Sequence, residues 1–260
     1  MNLRIFQRTI LVLAMSQGAS CGGASSDVSR ARAGDRNLTN ANLTNANLTS
    51  ANLANANLTS ANLTNANLTD ANLTNANLTG ANLTNANLTN ANLTNASLTD
   101  ADLTGANLTG ANLTDAILRD AQFQNADLTN ARLNAAHLTG ATLRGANLRG
   151  TNLRGADIAG ADLTDAHLPS ADLTNVTLRG ANLTHADLHG ANLDGANLPD
   201  ANFTGANLTS ANFANANFAN ANVSGADFTG AMGLGGANLS LVVCDTSTRW
   251  PAGITPPTCR

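Results

Sequence analysis

The sequence contains no lysine, no glutamate and no tyrosine, and it has one tryptophan and six phenylalanines. Every cation is therefore an arginine or one of four histidines, and every side-chain acid is an aspartate. That leaves a thin supply of the groups that usually act as general acids, bases and nucleophiles. The formal net charge is −4, without the clustered cations that contacts to nucleic-acid phosphates require. Long apolar runs are missing too. The longest lies in Thr9–Met15, far short of the roughly twenty residues that a membrane-spanning helix needs.

That short run sits where a secretory leader would place it. Arg4 and Arg8 bracket a basic start, Thr9–Met15 form the apolar segment, and Gly18, Ala19 and Ser20 supply small residues before Cys21. The pattern predicts export, with a signal peptide over residues 1–20. Ala19-Ser20-Cys21 resembles the end of a bacterial lipobox, with Gly18 where that pattern prefers leucine. The resemblance implies lipidation of Cys21 and a membrane link through the lipid. Residues 21–35, rich in glycine, serine and alanine, read as a flexible tether with little capping material.

Three cysteines in an exported chain leave one over. If Cys21 is acylated, Cys244 and Cys259 are left either to close a disulfide in an oxidising compartment or to stand as two thiols.

From Arg36 to Gly230 the chain repeats every five residues without insertion or deletion, in thirty-nine units. Each unit centres on an apolar residue. The centre is leucine in thirty-two units, beginning Leu38, Leu43, Leu48, Leu53, and is replaced by Phe123, Ile158, Phe203, Phe213, Phe218, Val223 and Phe228. Two residues earlier stands alanine, except at Arg36, Thr151 and Val176. A period of five fits neither a helix nor a continued strand, so each unit must contain a turn. Alanine and the centre point inward from a short extended segment, and the small polar residue at the unit's end makes a corner.

This Ala-Asn/Asp-Leu-Thr-X pattern resembles the pentapeptide-repeat family. The resemblance implies an all-β fold: a right-handed, quadrilateral parallel β-helix of about ten coils, twenty residues each. With coils about 4.8 Å apart the rod would be about 45 to 50 Å long. The repeat domain spans 36–230 and a C-terminal cap and tail 231–260. There the phase slips, with Gly233 at an expected centre and Ala237-Asn238-Leu239 one residue late. Leu239, Leu241, Val242, Val243 and Trp250 are expected to cover the last coil, since a solenoid's open end needs apolar cover. A bare first coil would permit end-to-end self-association.

The chemistry-bearing residues are scattered over this lattice. His137 and His167 fall on opposite faces, His167 lies next to Asp187, and His185 and His189 flank a corner. Arg144, Arg149 and Arg154 circle three faces rather than forming a stripe, with Asp157, Asp162 and Asp165 nearby to pair with them. No catalytic site, metal or cofactor is expected.

The expected function is a non-enzymatic exported scaffold with an envelope protein or polymer as partner. The alternative is binding of an ordered surface, ice or polysaccharide, through threonine and asparagine ladders. Between Leu38 and Leu113, fifteen of sixteen units carry threonine after the centre, the exception being Ala54. The family resemblance also suggests imitation of duplex DNA to protect a topoisomerase. That role needs a strongly acidic surface and cytoplasmic residence, and it is the least favoured reading.

Overall fold

The computed structural model describes residues 24–255 and 257–260. Parallel bridges link each unit to the one twenty residues on, in unbroken succession from Asn37↔Asn57 to Asn212↔Met232. Four units therefore make one coil of a right-handed, four-sided β-helix, as the family resemblance implies.

The unit can be derived from its backbone donors. In the unit at Leu78, the Asn77 N–H donates to Ala56 of the preceding coil and the Leu78 N–H to Ser97 of the next. The Gly80 N–H donates to Thr99, also in the next coil. The Ala81 N–H closes the corner on the Leu78 carbonyl at 3.0 Å. One donor remains, the Thr79 N–H, and the Asn77 side chain accepts it at 3.0 Å. Every backbone donor of the unit is thus satisfied, as partly buried amides must be.

The corner residue takes a positive φ in every unit, between 53° and 59° where it is not glycine. This is the third position of a type II turn, which favours glycine and asparagine. The residue before it, whose N–H is outside the ladder, is the one place where proline costs the sheet nothing. Pro169 and Pro199 both stand there.

The interior is a solid stack. Leu38, Leu43, Leu48, Leu53, Phe123, Ile158, Phe203, Phe213, Phe218, Val223 and Phe228 are all buried, as are nearly all the alanines. The exceptions to alanine are accounted for individually. Thr151 is fully buried and its hydroxyl donates to the Leu128 carbonyl at 3.0 Å. Val176 is fully buried as well, and Arg36 lies at the open end.

That end corrects the expectation of a flexible, uncapped tether. Ala24–Arg32 form a helix, α1, whose Ala31 enters the core cluster. Three arginines then cover carbonyls of the first coil. Arg30 donates to Asn37 O, Arg32 to Asn47 O at 2.9 Å and Arg36 to Asn52 O at 3.0 Å. Asp27 accepts the Asn42 N–H at 2.9 Å, and Asp35 accepts that of Asn37 at 3.0 Å. Five of the donors and acceptors that a preceding coil would have satisfied are thus met by side chains instead. The first coil on which end-to-end association was expected to rest is thus not bare but partly covered.

At the other end the slip is visible in the ladder. Asn217 pairs with Asn238 and Asp227 with Arg249, one and two residues out of phase. Gly233 takes its centre because the chain passes so close to Phe213 and Ala214 that a Cβ would lie 2.3 Å from Ala214 N. Leu234, next along, is buried in its stead. Val242 is fully buried, and Leu239 and Trp250 pack partly buried against the core. Trp250 stacks flat on Phe228, with ring centroids 5.0 Å apart. Two expected cap residues face elsewhere. Leu241 is 60% exposed at a corner with φ 56°, and Val243 occupies the outward ladder position opposite Asn222. The slipped phase moves both off the inward-pointing positions.

Candidate interaction surface

With the interior filled, whatever the molecule recognises must meet its outside. Among the described residues the hollows are shallow, open depressions of about 430 and 470 Å³ where Arg32 and α1 meet the first coil. No group of three or more histidine, cysteine or acidic side chains gathers among the described residues. His137 sits in a column between Ile117 and Asp157, and His167 pairs in the ladder with Asp187. His189 hydrogen-bonds through Nδ1 to the Thr209 hydroxyl at 2.8 Å. His185 occupies a corner at φ 58°.

Charges pair along a diagonal that the five-residue pattern does not advertise. The residue after one centre leans toward the residue before the centre one coil on, eighteen positions later. Arg144 reaches Asp162 at 3.3 Å and Arg154 reaches Asp172 at 3.7 Å. Off that diagonal, Arg179 approaches Asp200 at 3.9 Å, and Arg249 holds Asp227, its ladder partner, at 3.3 Å. Of the aspartates expected beside the arginine belt, Asp162 pairs in this way. Asp157 instead accepts from the Thr139 hydroxyl at 3.2 Å and the Ala159 N–H.

Two of these carboxyls are held below the usual carboxylate range. At Asp162 burial pushes upward, but the Thr164 hydroxyl and N–H together with Arg144 outweigh it. At Asp227 the Thr229 hydroxyl leads, burial opposes, and the Thr229 N–H and Arg249 add to the lowering.

The residue before the centre has a specific role where it is asparagine or aspartate: in most such units its side-chain oxygen takes the one N–H left out of the ladder and, in most threonine units, the threonine hydroxyl as well. Asn82, for example, accepts from Thr84 N at 2.9 Å and Thr84 Oγ1 at 2.7 Å. The near-uniform Asn/Asp at this position is the signal that could have shown it, since these side chains bond to a backbone two residues on.

Cys244 and Cys259 are joined as a disulfide, their Cα atoms 5.2 Å apart, which pins the tail to the last coil. Cys21 and the leader over 1–20 lie outside the described residues. No helix among the described residues is long and apolar enough to cross a membrane.

The family model for pentapeptide repeats matches in eight overlapping copies, from residues 29–65 to 196–232. The chain belongs to the pentapeptide-repeat family. Among solved structures it is similar to HetL, a pentapeptide-repeat protein involved in heterocyst differentiation regulation in the cyanobacterium Nostoc. They share 35% identity over 86% of this chain and 97% of that one, with a TM-score of 0.33. QnrB1, a plasmid-mediated fluoroquinolone resistance protein, aligns at 23% identity over 67% of this chain and 89% of that one, with a TM-score of 0.47. A pentapeptide-repeat protein of the Arabidopsis thaliana thylakoid lumen shares 32% identity over 43% of this chain and 64% of that one, with a TM-score of 0.27. No curated protein sequence matches. Pentapeptide-repeat proteins are in general scaffold and interaction proteins rather than enzymes, and the function of this one is to be sought on its walls.

Proposed function

We propose that this pentapeptide-repeat protein is a non-enzymatic interaction scaffold, exported and held at the cell envelope through lipidated Cys21. The observation that carries the scaffold reading is the molecule's construction. Its interior is filled from Leu38 to Phe228, its faces run in register, and both ends carry covering side chains. Among the described residues such a prism offers many weak, repeated contacts, and the hollows described are shallow and open.

The leader pattern supports export, and helix α1 adds a geometric consequence. It begins three residues after Cys21, a span of at most about 11 Å even when fully extended. A lipid on Cys21 would therefore hold the rod's first coil against the membrane surface, projecting its length outward. The partner is an envelope protein or polymer met along the walls. Imitation of duplex DNA has less support, because a mimic must carry dense negative charge and Asp70 is the one ionisable residue between Asn37 and Ser97.

Mass spectrometry of the mature protein from membrane and soluble fractions tests the proposal. A diacylglyceryl-modified N-terminus at Cys21, lost in Cys21→Ser, is the expected result. An unprocessed chain in the cytosol would overturn it.

A further inference from the structure

The outward asparagines divide into two populations. Among the described residues, the thirteen that precede a centre between Asn37 and Asn107 donate their amide Nδ2 to no protein atom, and most of them are exposed. From Asn112 to Asn222 eight of the eleven at this position turn their amides along the rod into the neighbouring coil, Asn152, Asn197 and Asn222 being the exceptions. Asn112 donates to Thr94 Oγ1 at 2.8 Å, Asn147 to Thr129 Oγ1 at 2.8 Å and Asn182 to Thr164 Oγ1 at 2.9 Å. The later coils thus close their polar groups on one another, and the earlier coils leave theirs facing out.

The most regular of the early faces carries Asn47, Asn67, Asn87 and Asn107 in one ladder column and Thr49, Thr69, Thr89 and Thr109 beside it. In each rung the threonine hydroxyl donates to the asparagine Oδ1, at 2.8, 2.6, 2.6 and 2.7 Å. The same oxygen accepts the threonine N–H at 3.0 or 3.1 Å. Oδ1 is therefore filled and the hydroxyl hydrogen is used. What each rung presents to solvent is fixed: an amide NH2 as donor and a hydroxyl oxygen as acceptor, side by side, repeated every coil at about 4.8 Å.

We propose that this face binds a neutral polyhydroxylated polymer, a glycan chain or the surface of a glycan fibre. A sugar hydroxyl both donates and accepts. One such group can give its hydrogen to the Thr Oγ1 and take an amide hydrogen from the Asn Nδ2 of the same rung. The rung is held by its own two internal bonds, so little freedom is lost when it is engaged. Arg32 at the first rung and Asp70 beside Thr69 are of opposite sign, so the face offers no excess of positive charge to an anionic polymer. The lattice ends where Asp127 and Thr129 accept the amide of Asn147. Because a single rung contributes little in water, a polymer engaging several rungs binds while a monosaccharide does not. This names the polymer partner of the scaffold proposed above and rests on that reading for its setting, although the binding itself is measured on the isolated protein.

The test is co-sedimentation of the purified protein with insoluble cellulose, chitin and β-1,3-glucan, using glucose and N-acetylglucosamine as competitors. Binding to at least one glycan, not displaced by the monosaccharides, is expected. Thr69→Val with Thr89→Val should weaken it about tenfold or more. Thr174→Val with Thr184→Val, in the closed-off coils, should leave it unchanged, with circular dichroism confirming that both variants keep the fold. The proposal fails if no glycan is bound, if both pairs of substitutions act alike, or if the protein shapes ice crystals without binding glycan, which would make the lattice a binder of ordered water. An unlipidated Cys21 would leave the glycan result standing, and a negative glycan result would leave the mass spectrum of Cys21 unaffected.

Discussion

Asparagine before the centre is a structural residue although its side chain faces water. Asn82 accepts both the N–H and the hydroxyl of Thr84, so truncating it strands one backbone donor at the wall. Asn82→Ala should cost about 0.5 to 1.5 kcal/mol, whereas Asn82→Asp keeps the acceptor and should cost less. Urea midpoints of the two variants check the difference. Asp162 occupies the equivalent position four coils later in the same column and adds a charge. Its carboxyl is lowered in the folded rod, so it contributes stability above the ordinary carboxylate pKa of about 3.9. That contribution is lost as pH falls through the folded value. Thermal melts between pH 6 and pH 2.5 should therefore show a steeper acid loss for the parent protein than for Asp162→Asn, which has no charge to lose.

At the scale of elements, the two ends are closed by different means. The C-terminal end is closed by packing: Phe213, Phe218 and Phe228 meet at ring-centroid distances of 5.1 to 6.2 Å, and Trp250 lies flat on Phe228. Phe228→Ala leaves Trp250 without its platform and opens a cavity in the last coils, with an expected loss of about 3 to 5 kcal/mol. Tryptophan fluorescence shifting to the red at denaturant concentrations where the parent is unchanged would register it. The N-terminal end is closed by polar bonds, with α1 held by Ala31 and its charged residues turned onto the first coil. The segment ASSDVSRAR has little to bury and reads as a linker, because a nine-residue helix is marginal without tertiary support. Its arginines and aspartates become legible as caps only once the carbonyls of Asn37, Asn47 and Asn52 and the amide of Asn42 are known to lack a coil above them.

The whole molecule is a stack in which each coil is held by its neighbours, so its ends decide whether it stays single. Removing the N-terminal cover with Arg30→Ala, Arg32→Ala and Arg36→Ala uncovers three carbonyls of the first coil and a path to edge pairing. Light scattering should show the parent as a monomer and the triple variant shifting to larger species with concentration; a monomeric variant would mean that α1 alone suffices as cover. The walls carry the remaining distinction, between early coils whose amides face solvent and later coils whose amides join adjacent coils. That boundary falls near Asn112, where no change of period marks it.

The five-residue period, the apolar centres, the alanines two before them and the turn-forming corners were enough to determine a turn in every unit and which side chains face inward, because burial and turn chemistry demand both, while the count of four units to a coil came from the family resemblance. Gly233 and the late restart at Ala237 likewise marked where the stack would end. Three things depended on tertiary structure: the eighteen-residue diagonal joining Arg144 to Asp162, the seating of α1 on the first coil, and the direction in which each outward amide points. Each joins groups distant in sequence whose partners are chosen by the stacking of coils, and a local pattern carries no record of what the next coil places beside it.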